Sequence, residues 1–143
     1  MGKIQKLNIF TDGGARGNPG PSATGVFITG ESGQKIAGFG EKIGISTNNV
    51  AEYKAVIAGL SWILKNKEEL AEDVKIDFFL DSNLVCSQII GVFKIKNSQL
   101  RSLLFQVREK ESEIGIHIHY SYIPREKNTQ ADSFVNLALD RET

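Results

Sequence analysis

The chain has 143 residues, a single-domain length that can bury one sizeable core. Charged residues make up 24% and apolar residues 41%, which excludes a disordered chain. Lys+Arg and Asp+Glu both number 17, so bulk charge names no partner, and a polyanion would have to be met by local positive charge. The single cysteine, Cys86, excludes an internal disulfide and a cysteine-rich zinc site and suits a reducing compartment. No segment approaches membrane-spanning length and the N-terminus lacks the apolar run of a signal peptide, so the expected setting is cytoplasmic, without a membrane partner. One domain over residues 1–143 is expected, and a monomer.

Residues 7–11, Leu7-Asn8-Ile9-Phe10-Thr11, have the β-branched and aromatic content of a strand. The run meets Asp12 and then a glycine-rich stretch reaching Pro21, where Asp-Gly reads either as turn chemistry or as a carboxylate beside a backbone that another element can approach. Residues 23–29 and 35–41 read as two strands of a hairpin about a Gly/Ser turn, giving a three-stranded antiparallel meander. Ser46-Thr47-Asn48-Asn49 is a cluster of helix-capping residues, and a helix follows over residues 50–66 whose apolar positions cover most of its circumference. Glu52 interrupts that apolar surface and, with Asn49, has the spacing of a capping box.

Residues 65–73 form a charged connection, and residues 74–80 a strand ending at Asp81, parallel to its partner through a right-handed crossover. Asp81-Ser82-Asn83 caps a short helix through Ile90, ended by Gly91. Residues 92–97 carry Lys94 and Lys96 on a loop, and Ser98 caps a helix with Leu100, Leu103, Leu104 and Val107 at helical spacing. Residues 114–123 alternate as a strand, with His117 and His119 on its polar face. That pair reads as solvated strand residues rather than as metal ligands. A charged loop, Pro124-Arg125-Glu126-Lys127-Asn128, leads to a last helix over residues 130–139. Thr129 is its expected cap, and Asp132 has the position of a capping-box acid.

Asp12 and Asp81 are thus placed at strand ends, and Glu52 and Asp132 in first turns of helices. In a sheet with helical crossovers those positions share one rim, where open α/β sheets bind ligands. Each acid alone has a structural explanation, but clustered carboxylates repel one another unless cations neutralise them. Hard oxygen ligands without cysteine select Mg²⁺ or Mn²⁺. Two such ions roughly 3.5–4 Å apart can activate water and stabilise the leaving oxygen of a phosphodiester. Composition and spacing therefore point to a metal-dependent nuclease.

Thr11-Asp12-Gly13-Gly14 with Gly17-Asn18-Pro19-Gly20-Pro21, Thr47-Asn48-Asn49-x-x-Glu52, Asp81-Ser82 opening a helix and Asn128-x-x-x-Asp132 together resemble type 1 ribonuclease H, in that family's order and over nearly the whole chain. The resemblance implies an α/β, ribonuclease H-like fold: a five-stranded mixed sheet, its first three strands antiparallel, flanked by helices. It implies an RNA–DNA hybrid as partner and cleavage of the RNA strand to 3′-hydroxyl and 5′-phosphate ends, with double-stranded RNA an open second substrate. It implies Asp12, Glu52, Asp81 and Asp132 as catalytic metal ligands for two Mg²⁺ ions, Mn²⁺ being an alternative. Gly13, Gly14, Asn18, Thr47, Asn48, Asn49 and Asn83 would meet the substrate. Two features depart from better-known members. The loop before Asp132 is short and holds Arg125 where those members carry a histidine, so Arg125 is assigned a phosphate contact and no residue a proton-donating role. The basic helix after the fourth strand is also missing, with only Lys94 and Lys96 in its place. A DNA nuclease or transposase-like member of the same superfamily, or a module that binds hybrid or double-stranded RNA without cutting, are the alternatives.

Overall fold

A computed structural model describes residues 2–141. The elements are β1 (Ile4–Ala15), β2 (Gly20–Thr29), β3 (Lys35–Ser46), α1 (Asn48–Lys65), β4 (Leu70–Leu80), α2 (Asn83–Ile89), α3 (Ser98–Ile114), β5 (Ile118–Tyr122) and α4 (Thr129–Asp140). The five strands form one sheet in the order β3-β2-β1-β4-β5. β1, β2 and β3 are antiparallel neighbours, whereas β4 and β5 add in parallel on the other side of β1. This is the expected mixed sheet.

Alternation along the strands divides the core. Leu7 and Ile9 of β1 and Ile76 and Phe78 of β4 are buried with Val56, Leu60 and Ile63 of α1, in a cluster that extends to Leu103 and Val107 of α3. On the opposite face Phe10 stacks on Phe79, with ring centroids 4.9 Å apart, and Phe27 stacks on Phe134 of α4. α4 packs on β1, β2 and β3. Among the described residues no helix is long and apolar enough to cross a membrane.

Several local expectations are corrected. β1 does not stop at Asp12: its ladder with β2 continues through Asp12↔Gly25 to Ala15↔Ser22. What does stop there is the parallel ladder, whose last pair is Thr11↔Leu80, so Asp12 lies one residue beyond the point where β1 and β4 part. α1 starts two residues earlier than expected, with Thr47 as its N-cap accepting from the Val50 amide. Glu52 therefore lies beyond the first turn, and no Asn49–Glu52 capping box forms. Asn97, not Ser98, caps α3, and Asn128, not Thr129, stands at the N-cap position of α4. β4 begins at Leu70, after a single 3-10 turn at Lys67–Glu69, and β5 is shorter than its alternating pattern.

Candidate active site

The site lies on the rim where β1 and β4 diverge. Asp81 follows the last residue of β4, immediately before Ser82, whose hydroxyl accepts from the Val85 amide to cap α2. Glu52 reaches the rim from α1 because Gly13 lets that helix come into backbone contact: a Cβ on Gly13 would lie 2.1 Å from the Ala51 carbonyl carbon. The Gly13 amide donates to Glu52 Oε1 at 3.2 Å. Carboxylate oxygens of Asp12, Glu52 and Asp81 lie within 4.8 Å of one another. Asp12 and Glu52 are buried, at 7% and 6% exposure, and Asp81 is half-buried.

Asp132, in the first turn of α4, lines the same cavity of about 430 Å³ but is not in the group of three. Its carboxylate accepts from Asn136 Nδ2 at 3.3 Å. The structure therefore gathers three of the four acids within 4.8 Å of one another and sets the fourth beside them.

Burial and crowding act on these groups as electrostatics requires. Burial, reinforced by the charges of Asp81 and Asp132 and opposed by the adjoining Glu52 carboxyl, leaves the Asp12 carboxyl pushed up to about 7. Burial and then the neighbouring Asp12 and Asp81 hold Glu52 well above the usual carboxylate range, against the donated Gly13 amide. Glu52 Oε2 is buried without a hydrogen-bond partner. A buried carboxylate oxygen without a partner, on a residue grouped with two other carboxylates, fits a hard divalent cation, which would supply the missing partner and relieve the repulsion.

Asn128 is a residue whose part the sequence reading left unassigned. It is 1% exposed, and its Nδ2 donates both to the Thr11 carbonyl and to Asp81 Oδ2, each at 2.9 Å. It thereby ties the start of α4 to the diverging ends of β1 and β4 and fixes the Asp81 carboxylate. The spacing Asn128-x-x-x-Asp132 was the available signal, since it sets Asn128 at the entry to the helix whose first turn carries Asp132.

Of the residues assigned to substrate, Gly13, Gly14, Asn48, Asn49 and Arg125 line the cavity. Asn18, Thr47 and Asn83 do not. Thr47 is occupied as a helix cap, and Asn83 accepts from Ser87 Oγ at 3.4 Å. Asn18 lies one bond away: its Oδ1 accepts from the Asn48 amide, and Asn48 Oδ1 accepts from the Ala15 amide, both at 2.9 Å. These two bonds pin the glycine-rich turn onto the start of α1. His117 and His119 face grooves beside β4 and β5 rather than the acidic cavity.

A family model described as reverse transcriptase-like matches residues 10–138. LC11-RNase H1, isolated from compost, superposes with a TM-score of 0.90 at 40% identity, covering 96% of this chain and 97% of that one. The chain belongs to the type 1 ribonuclease H family. The structure of LC11-RNase H1 in complex with an RNA/DNA hybrid aligns with a TM-score of 0.88 at 39% identity, over 94% of this chain and 96% of that one. A bifunctional protein of Mycobacterium tuberculosis is 38% identical over 136 residues, which is 94% of this chain but 36% of that protein. The chain thus spans about a third of the length of its mycobacterial relatives.

Proposed function

We infer that the chain is a metal-dependent endoribonuclease that hydrolyses the RNA strand of RNA–DNA hybrids. The observation that carries this reading is the convergence of Asp12, Glu52 and Asp81, with Glu52 Oε2 unpartnered, on a chain of the ribonuclease H family. The hybrid complex of LC11-RNase H1 supports the choice of substrate.

Asp12, Glu52 and Asp81, with Asp132 beside them, would hold the metal. Two Mg²⁺ ions, or Mn²⁺ in their place, would there supply water activation and charge stabilisation at the leaving oxygen. The protein's part is positioning. Asn128 holds Asp81, and the Gly13 amide fixes one oxygen of Glu52 and leaves the other without a partner. The water oxygen bonds to phosphorus, the P–O3′ bond breaks, and the departing oxygen takes up a proton, leaving 3′-hydroxyl and 5′-phosphate ends. Among the described residues no histidine lines the cavity to deliver that proton; Arg125 serves as a phosphate contact instead.

Selection of RNA rests on the 2′-hydroxyl, the group that separates the two strands chemically. Asn48, whose Oδ1 is occupied by the Ala15 amide, offers its side-chain N–H groups, and Asn49 lines the cavity beside it. The test is cleavage of matched hybrid, double-stranded RNA and DNA duplexes, each with Mg²⁺ and with chelator. Mg²⁺-dependent cutting of the RNA strand of the hybrid is expected. Cutting of the DNA duplex at a similar rate would move the chain to the DNA-nuclease reading, and tight binding without cutting would make it a hybrid-binding module.

A further inference from the structure

Among the described residues four carboxylates line the cavity and only two cationic side chains do, Arg125 and Arg16. Arg16 stands in the turn between β1 and β2, and its Nη1 is 2.6 Å from Asp140 Oδ1. This pair has little structural work to do. The two side chains are 49% and 64% exposed, and an ion pair so hydrated contributes little to stability. The turn is already shaped by the bonds from the Arg16 amide to the Pro21 carbonyl and from the Ala15 amide to Asn48. Asp140 is also poorly placed for its own helix. It is the last residue of α4, which has no basic residue in its last turn, and a carboxylate there opposes the helix dipole.

A guanidinium on the rim of an acidic cavity, held by an exposed and replaceable carboxylate, is suited to exchange that carboxylate for a phosphate. We propose that Arg16 binds a backbone phosphate of the nucleic-acid substrate, and that Asp140 is the counter-ion it leaves when substrate enters. This rests on the hybrid-cleaving reading above. The exchange places a bidentate donor beside Asn48 and Asn18, so a phosphate, the Asn48 side chain and the metal-binding acids would be read in one register along the strand. Arg16 is thus a substrate-binding residue, and Asp140 tunes its availability.

The experiment measures hybrid affinity under chelation and steady-state cleavage in Mg²⁺ for the wild type, Arg16→Ala, Arg16→Lys and Asp140→Asn, with thermal melting of each. Arg16→Ala is expected to weaken binding and raise KM by about five- to twentyfold with kcat little changed. The slope of log affinity against log salt should shrink by about 0.9, as for one lost phosphate contact. Arg16→Lys should recover part of that loss, since lysine keeps the charge without the fork. Asp140→Asn should move the other way, binding hybrid about two- to fivefold more tightly without lowering the melting temperature. If Arg16→Ala and Asp140→Asn instead lose affinity and stability together, the pair is a structural bridge and the proposal falls while the ribonuclease reading stands. If the wild type neither cuts nor binds hybrid, both fall.

Discussion

Each acid on the rim has its own surroundings, and these set how it should respond to pH, to metal and to substitution. In Asp81→Asn the amide oxygen can still accept from Asn128 Nδ2, while the repulsion that Asp81 exerts on Asp12 and Glu52 disappears. The metal-free variant should therefore melt at or above the wild-type temperature while losing activity. If it still cuts within about tenfold of wild type, a difference of only about 1.4 kcal/mol in the barrier, Asp81 is not a metal ligand. Asp12 gives a pH signature. Its folded value, pushed up to about 7, lies above an unfolded value of about 3.9, so the folded state binds the proton more tightly. The stability this group contributes is complete below about pH 4 and is lost as pH rises through about 7. Metal-free protein should lose melting temperature over that window, Asp12→Asn should lose less, and Mg²⁺ at neutral pH should restore stability to the wild type. Equal slopes with and without the Asp12 carboxyl would sink this account. That Asp12, Glu52 and Asp81 gather on one rim was legible from spacing. The anchoring bonds of Asn128 were not, because they depend on where the parallel ladder between β1 and β4 ends.

Helices reach the rim only because glycines remove side chains from the contact. Gly13 admits α1, and on the other face Gly25 and Gly40 admit α4: added Cβ atoms would lie 2.1 Å from the Ala131 carbonyl oxygen and 2.3 Å from that of Phe134. Gly14, one residue along, has room, since its Cβ would meet Val135 Cγ1 at 3.4 Å. Gly13→Ala must therefore push α1 off β1 and carry Glu52 away from Asp12, with a loss of about 3 kcal/mol or more, or no folded product. Gly14→Ala should stay within about 1 kcal/mol of wild type. Denaturant unfolding of both variants checks the pair, and equal losses would show that Gly13 is not a helix-contact glycine. Element types were readable from alternation and helical spacing, but their ends were not. A polar residue such as Asp12 looks like a terminus, and only the cross-strand partner Gly25 shows that β1 runs on. In the same way Thr47, rather than Asn49, takes the cap once the chain leaving β3 fixes where α1 begins.

Across the whole molecule, balanced charge sets a limit on how the protein holds a polyanion. The topology was legible because the motifs occur in order along a chain whose three leading strands are followed by strands joined through helices, but the charge distribution around the cavity was not, since it depends on which side chains the rim collects. With 17 cationic and 17 anionic residues, the net charge supplies no attraction to a polyanion, and on the hybrid-cleaving reading the grip rests on local cations. At the cavity these are Arg16 and Arg125; Lys94 and Lys96, exposed on the segment after α2, are counted as two further contacts to the duplex. Four phosphate contacts at about 0.9 each give a slope of log affinity against log salt near −3.6. Arg125→Ala should reduce that slope by about 0.9 and weaken hybrid binding by roughly 1–3 kcal/mol. Measured under chelation, so that cutting does not interfere, a wild-type slope steeper than about −6 would mean that a further basic surface grips the duplex. An Arg125→Ala slope unchanged from wild type, with a loss under about 1 kcal/mol, would return Arg125 to an ordinary solvated loop charge.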